Sequence, residues 1–156
     1  MEKKRIVFFI SGAIAFFIIA IISFNIINYY KWKEPLVLNN NFIVAWGNYD
    51  YKNYDKYSDN IKPLITNTLY AEYFEGVKNE QSYYIQQGKM VTNKSKVETS
   101  IVKIMSKEID KDKYIVKSRV NQSVTVSGKT ATNTKTATIT IIKDGDKYFV
   151  SEISYD

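Results

Sequence analysis

The side chains that could do acid–base chemistry lie in a tyrosine-rich stretch, YDYKNYDKY at 49–57. Its carboxylates are Asp50 and Asp55, and an aspartate can act as a general base only where desolvation raises its pKa. Nothing in the pattern buries either aspartate, whereas the tyrosines recur at helical spacing and form one face. The sequence therefore predicts solvated aspartates and no catalytic residue. An enzyme with a buried aspartate beside Tyr49, Tyr54 or Tyr70 remains an alternative hypothesis.

The other residue types narrow the chemistry further. The chain contains no cysteine and no histidine, which excludes disulfides, the usual zinc, copper and haem sites, and Ser-His-Asp or Cys-His catalysis. The acidic groups at 110–112 and 144–146 could suggest calcium, but they lack the spacing of oxygen ligands that a calcium loop requires. We predict that both are hairpin turns, and that the chain holds no metal and no cofactor.

Residues 6–27 form an uncharged run of 22 residues, IVFFISGAIAFFIIAIISFNII. As a helix this run would extend about 33 Å, enough to cross a hydrocarbon core of about 30 Å. A cleaved signal peptide, the alternative, has a shorter apolar region followed by small residues, whereas the residues after Ser23 are bulky. We predict an uncleaved single-pass membrane helix, with Tyr29, Tyr30 and Trp32 as an aromatic belt at the interface.

Flanking charges give the orientation. Lys3, Lys4 and Arg5 precede the apolar run, and this positive excess favours a cytoplasmic N-terminus. Without Glu2 and these three basic residues the chain carries 19 basic and 15 acidic residues, a net charge of +4. Because lysines alternate with acidic residues, this charge argues against direct nucleic-acid binding. The expected organisation is a cytoplasmic tail (1–5), a transmembrane helix (6–28), a linker (29–36) and an extracytoplasmic domain (37–156).

The first half of that domain has helical periodicity. A first helix should carry the apolar residues from Phe42 to Tyr49 and weaken at Gly47, and a second should cover 50–60 and stop at Pro63. Thr66 is placed as the N-cap of a third helix that ends at Phe74. Gly76 is then positioned to cap its C-terminus, and residues 81–87 are compatible with a short helix or an irregular strand.

From Val97 onward the period changes to two. We predict strands at 97–109, 114–127, 130–143 and 147–155, joined by short turns into an antiparallel meander. Val116, Val120, Val124 and Val126 should share an apolar face in the second strand, and Phe149, Ile153 and Tyr155 should share one in the last. Because the preceding helices are available to cover this face, the expected fold is α+β, about three helices packed on a curved four-stranded sheet.

Two surfaces of the domain could contact partners. The first is a possible partner or pocket surface, since tyrosine is enriched at interfaces, although packing in the core is the alternative. Its residues are Trp46, Tyr49, Tyr51, Tyr54 and Tyr57. The second is the row of threonines between 130 and 140, which would be an interaction strip at a sheet edge or simply a solvent-facing surface.

The order of these elements resembles a known architecture. A membrane helix, the segment FIVAWGNY at 42–49, helices ending at Tyr73 and Phe74, and a long C-terminal meander resemble the cone-shaped nuclear-transport-factor-2-like fold. With its anchor, the chain looks like the scaffold component of bacterial type IV secretion and conjugation machines, including the TcpC-like proteins of Gram-positive mobile genetic elements.

The resemblance implies a non-catalytic, single-pass protein of the cell membrane that forms homo-oligomers and docks other secretion-channel proteins. It carries over no contact residues. The alternative hypothesis is an envelope-anchored binding or regulatory module that holds a peptide, a lipid or a wall polymer.

Overall fold

A computed structural model describes residues 2–50, 54–75, 94–96, 102–126 and 129–156, with side chains for 14–48, 56–74, 104–125 and 129–156. The chain forms two compact units, Met1–Glu34 and Pro35–Asp156. We call them the N-terminal and C-terminal units. Helix α1, Glu2–Gly47, begins in the first and ends in the second.

The N-terminal unit exposes apolar side chains. Phe16 and Phe24 are 70% and 67% exposed, and one stretch of α1, Ile14–Gly47, is long and apolar enough to cross a membrane by length and composition. Exposed apolar side chains on a helix are stable in lipid rather than in water. The polar Asn25 fits this environment, because its Nδ2 donates a hydrogen bond of 2.9 Å to the Ile21 carbonyl oxygen of the same helix.

Helix α1 differs from the expected pattern in two places. Residues 29–36, expected as a linker, are helical, and Pro35 lies inside the helix. The proline removes only one hydrogen bond, the one to the Lys31 carbonyl, and its full burial offsets part of that loss. Trp32 is also buried, 5% exposed, so the exposed aromatic pair comprises Tyr29 and Tyr30 alone.

In the described part of the chain, short helical segments follow α1 between Tyr54 and Glu75. Helix α2 spans Tyr54–Ile61, later than expected because Tyr49–Asp50 forms a short strand, β1. A 3₁₀ turn at Lys62–Leu64 contains Pro63, and helix α3, Asn67–Tyr70, continues into a π-helical turn at Ala71–Glu75. Gly76 and residues 81–87 lie outside the described residues.

Thr66 caps α3 as the sequence predicts. Its Oγ1 accepts a hydrogen bond of 3.2 Å from the Leu69 amide, while its own amide donates to the Val150 carbonyl at 2.9 Å. Helix α3 therefore begins at the point where the chain contacts the sheet.

Replacing Thr66 with alanine should lower the free energy of unfolding by about 1 kcal/mol, because the Leu69 amide loses its acceptor. Chemical denaturation measures the change. Thr68→Ala is the matched control, since Thr68 is exposed within the same helix. Equal effects of the two substitutions would contradict the capping role.

Within the described residues, β1 and five later strands form a six-stranded antiparallel sheet in the order β1-β2-β4-β5-β6, with β3 beside another part of β4. The short strands β1 and β2 are additional to the four predicted strands. The predicted meander and α+β class are confirmed. At the β3–β4 and β5–β6 turns, Lys111 and Gly145 adopt positive φ angles of 54° and 58°, as tight hairpin turns require. Strands β2 to β6 span Lys94–Lys96, Val102–Asp110, Lys113–Val126, Lys129–Asp144 and Lys147–Tyr155.

The core of the C-terminal unit lies on one face of this sheet. A buried polar contact links helix to sheet: Asn39 Nδ2 of α1 donates to Ser118 Oγ of β4 at 3.1 Å, and both residues are fully buried. The largest buried apolar side chains come from helices and strands alike: Phe42, Ile43, Ile61, Val116, Ile139, Ile141 and Val150.

The predicted apolar face of β6 needs a correction. The pairing of β5 with β6 shifts after Thr140, so that Ser151 is an extra residue on β6. A one-residue bulge moves the following side chains to the other face. Val150, which is fully buried, therefore shares the core face with Ile153 and Tyr155, and Phe149 does not.

Candidate interaction surface

Among the described side chains of the C-terminal unit, six aromatic ones meet where the end of α1 approaches α2 and α3. We call this group the aromatic cluster. Its members are Phe42, Trp46, Tyr57, Tyr70, Tyr73 and Phe74.

Trp46 lies at the centre of the cluster. Its ring centroid is 5.2 Å from that of Tyr73 and 5.8 Å from that of Phe74, each at 85°, and 5.4 Å from that of Phe42. Edge-to-face contacts of this kind stabilise beyond simple burial. Tyr57 adds a polar contact, since its hydroxyl donates to the Trp46 carbonyl oxygen, one of the acceptors left free at the end of α1.

The members of the cluster range from buried to exposed. Phe42 and Phe74 are buried, Trp46, Tyr57 and Tyr70 are half-buried, and Tyr73 is 36% exposed. Its buried members hold the helix ends together, and its rim offers an exposed ring edge and phenolic hydroxyls. Such a rim can bind a partner by packing and hydrogen bonding.

Tyr155 at the end of β6 is electrostatically linked to this rim. Although the residue is 41% exposed, desolvation and then the nearby Tyr73 raise the pKa of its phenol above the ordinary value. A tyrosine is neutral at physiological pH even without this shift, and the Tyr155 hydroxyl can donate a hydrogen bond. Lys135 Nζ lies 5.8 Å from the centroid of the Tyr155 ring, and Lys62 Nζ lies 5.0 Å from that of Tyr70, so cations border the aromatic surface.

The structure brings together two of the five predicted surface residues, Trp46 and Tyr57, with ring centroids 6.5 Å apart. Tyr49 lies in β1 and Tyr54 begins α2, but their side chains are outside the described residues, as is the whole of Tyr51. The side chains of Asp50 and Asp55 are not described either. The assignment of Tyr49, Tyr51 and Tyr54 to a partner or pocket surface therefore stays a prediction, and so does the solvation of the two aspartates.

The sequence did not assign Tyr70, Tyr73 and Phe74 to this surface. Their spacing identifies them as the apolar side of one helix, but no local pattern states that this side meets Trp46. The signal that was present is the abundance of aromatic residues, 15% of the chain.

The predicted threonine row divides between two environments. Thr140 is 7% exposed and its Oγ1 donates to Glu152 Oε2 at 3.4 Å. At the other end of β5, Thr130 and Thr134 are exposed, and their hydroxyls bond to Thr125 at 2.8 Å and Asn121 at 2.9 Å on β4. These cross-strand bonds fix the side chains of the exposed part of the row.

Comparison with solved structures identifies the fold. An IcmL-like type IV secretion system protein from Legionella pneumophila aligns with a TM-score of 0.56 at 12% identity, covering 77% of this chain and 88% of that one. The periplasmic domain of DotI aligns with a TM-score of 0.58 at 15% identity, covering 78% and 91%.

A third structure is the transfer protein TraH from the Gram-positive conjugative plasmid pIP501. It aligns with a TM-score of 0.54 at 20% identity, covering 80% of this chain and 92% of that one. No protein-family model and no curated protein matches the sequence. The similarities confirm the nuclear-transport-factor-2-like fold predicted from the sequence.

Proposed function

We propose that the chain is a non-catalytic, membrane-anchored scaffold subunit of a conjugative DNA-transfer channel of the type IV secretion class. The observation that supports it is a fold shared, over 77% and 80% of the chain, with an IcmL-like type IV secretion protein and a conjugative transfer protein. In this chain the fold follows a helix that is long and apolar enough to cross a membrane.

The proposed orientation places residues 1–5 in the cytoplasm, a transmembrane helix at 6–28 and the C-terminal unit outside the membrane. The positive residues Lys3, Lys4 and Arg5 support it. A periplasmic location is stated for the DotI domain, which has the same fold, and this agrees with an extracytoplasmic C-terminal unit here.

The proposed mechanism is contact rather than chemistry. The rim of the aromatic cluster would dock another channel protein, with Tyr73 as its exposed ring, Trp46 packed against Tyr73, and Tyr57 packed against Trp46. Anchoring in a membrane confines copies of the chain to one plane and raises their effective concentration, which favours self-association even through weak contacts.

Deleting the gene should abolish transfer of the element that carries it, and the full chain supplied in trans should restore transfer. Complementation with Tyr73→Ala should restore it at least about tenfold less efficiently, because truncating an aromatic hot spot of an interface costs about 2 kcal/mol or more, and a tenfold change needs only about 1.4 kcal/mol. Mating assays measure the transfer frequency.

Tyr148→Ala is the matched control for this substitution. Tyr148 makes an edge-to-face contact with Tyr114 at 5.5 Å, as Tyr73 does with Trp46 at 5.2 Å, but it lies at the start of β6, next to the β5–β6 turn. Full complementation by both variants would reject the aromatic rim as a docking surface. Normal transfer after gene deletion would reject the proposed function itself.

A further inference from the structure

Among the residues that the structure describes, strand β5 has an unpaired edge at 129–135. Strand β6 pairs with β5 only from Ala137 to Asp144, and the last contact beyond them joins Thr136 to Asp156. Within the part of the chain that the structure describes, no strand lies beside residues 129–135 on this side. All seven side chains are exposed. We call this segment the open edge.

The open edge presents a defined set of backbone groups. Thr136 directs both its amide and its carbonyl towards Asp156, in hydrogen bonds of 3.1 and 2.9 Å. In an antiparallel strand alternate residues direct their groups to the same side, and the pairing of β4 with β5 has no register shift that would interrupt this alternation. Thr134, Thr132 and Thr130 therefore direct their amides and carbonyls to the open side.

Two lysines bracket these groups. Lys129 and Lys135 are six residues apart and exposed, and they lie on the opposite face of the strand from the three threonines. Lysine on an edge strand opposes pairing with another strand unless that strand carries opposite charge at the facing positions. The lysines therefore select the charge of any strand that binds here.

Pairing of two open edges with each other is disfavoured by this arrangement. The one antiparallel register that pairs all three threonines within the strand puts Thr132 opposite its own copy. That register also puts Lys129 directly opposite Lys135, twice in each pair of chains. Like charges directly opposite one another destabilise a sheet, so a second copy is the wrong occupant.

We propose that the open edge binds an extended segment of another protein as an added β-strand, and that this segment carries acidic residues six positions apart, facing Lys129 and Lys135. Backbone hydrogen bonds to Thr130, Thr132 and Thr134 supply the pairing, and the two lysines supply the selectivity. That the occupant belongs to another channel protein rests on the proposed function, whereas the strand pairing itself does not.

The test uses the full chain in lipid nanodiscs and two dye-labelled heptapeptides with alternating threonine and valine at positions 2 to 6. One peptide has glutamate at positions 1 and 7, and the other has lysine there. Fluorescence anisotropy should show the glutamate peptide binding about tenfold or more tightly than the lysine peptide. Equal affinities would overturn the proposal.

A charge swap sharpens this test. The double variant Lys129→Glu, Lys135→Glu should reverse the preference, losing the glutamate peptide and gaining the lysine peptide. The control variant Lys143→Glu, Lys147→Glu changes the net charge equally, on the two sides of the β5–β6 turn, and should leave the preference unchanged. Reversal by both variants would mean that net charge, not the open edge, selects the peptide, and would overturn the proposal.

A third variant separates strand pairing from charge attraction. Thr132→Pro removes an amide that points to the open side, so no backbone hydrogen bond of the native sheet is lost, and binding of the glutamate peptide should fall about tenfold or more. Both this variant and Thr132→Ala lose the hydroxyl contact of 3.3 Å with Ser123, so that contact does not distinguish them. Thr132→Ala keeps the amide and should bind normally. Circular dichroism must show that each variant is folded, and unchanged binding by a folded proline variant would overturn the proposal.

The absence of cysteine from the chain allows a direct check for self-pairing. Efficient disulfide formation between two copies of a Thr132→Cys variant would show that the open edge binds itself and would overturn the proposal. The experiments distinguish an error in the proposed strand binding at the open edge from an error in the proposed function. Lost peptide binding with gene-dependent transfer rejects the edge alone, and intact peptide binding with gene-independent transfer rejects the function alone.

Discussion

Replacing Phe42 with alanine should lower the free energy of unfolding of the C-terminal unit by about 3–5 kcal/mol. Phe42 is fully buried, and its ring lies 5.4 Å from that of Trp46. The substitution removes buried apolar surface and an aromatic contact, and it leaves a cavity that surrounding side chains fill only in part. Because domains of this size are stable by only about 5–15 kcal/mol, much of the unit's stability would be lost.

Phe24→Ala provides the matched control. Phe24 lies in the same helix, α1, but is 67% exposed and belongs to the N-terminal unit. Its truncation should change the unfolding of the C-terminal unit by less than about 0.5 kcal/mol. Denaturant titration of the full chain in detergent, followed by the sheet signal in circular dichroism, measures both. A comparable loss in the two variants would contradict the assignment of Phe42 to the core.

The sequence predicted those parts of the fold whose cause is local. A glycine with positive φ makes the Asp144–Gly145 turn, a threonine hydroxyl caps α3 at Thr66, and residues alternating in polarity form β4 and β5. Each of these features involves residues within a few positions of one another, so one chain segment contains the whole signal.

Features that depend on distant packing were missed or misplaced. The bulge at Ser151 reverses which residues of β6 face the core, and it arises from pairing with β5 rather than from any residue type in β6. From the sequence, Pro35 likewise indicates the end of a helix, because proline usually ends one. Its burial in the C-terminal unit is a tertiary effect that overrides the local preference.

For the same reason, only part of the candidate surface could be predicted from the sequence. Trp46 and Tyr57 lie 11 positions apart and were singled out by the density of aromatic residues around them. Tyr73 is 27 positions from Trp46, yet it makes the shortest ring contact with Trp46. Only the way in which α3 follows the turn at Lys62–Leu64 brings the two rings together, and no periodicity in either segment encodes that path.

The double variant Phe16→Lys, Phe17→Lys should move the protein out of the membrane fraction. Both rings are exposed near the middle of the uncharged run at 6–27, 70% and 67%. A lysine at the centre of a transmembrane helix costs about 2.5–3.5 kcal/mol, so the pair would disfavour insertion by roughly 5–7 kcal/mol. Resistance to carbonate extraction measures retention, and Val37→Lys, an exposed position of α1 in the C-terminal unit, should behave as wild type.

Cysteine variants test the orientation of the chain. The sequence contains no cysteine, so a single added cysteine is the only thiol. Asp112→Cys lies at the exposed β3–β4 turn and should react with a membrane-impermeant maleimide in intact cells, whereas Lys3→Cys should react only after lysis. Adding Phe16→Lys and Phe17→Lys should abolish labelling at position 112 in intact cells, because the C-terminal unit then stays in the cytoplasm. Since the core of that unit is unaffected by these lysines, its unfolding should be unchanged, which separates lost insertion from lost folding. Labelling that persists in the lysine variant would mean that α1 is not what carries the domain across the membrane.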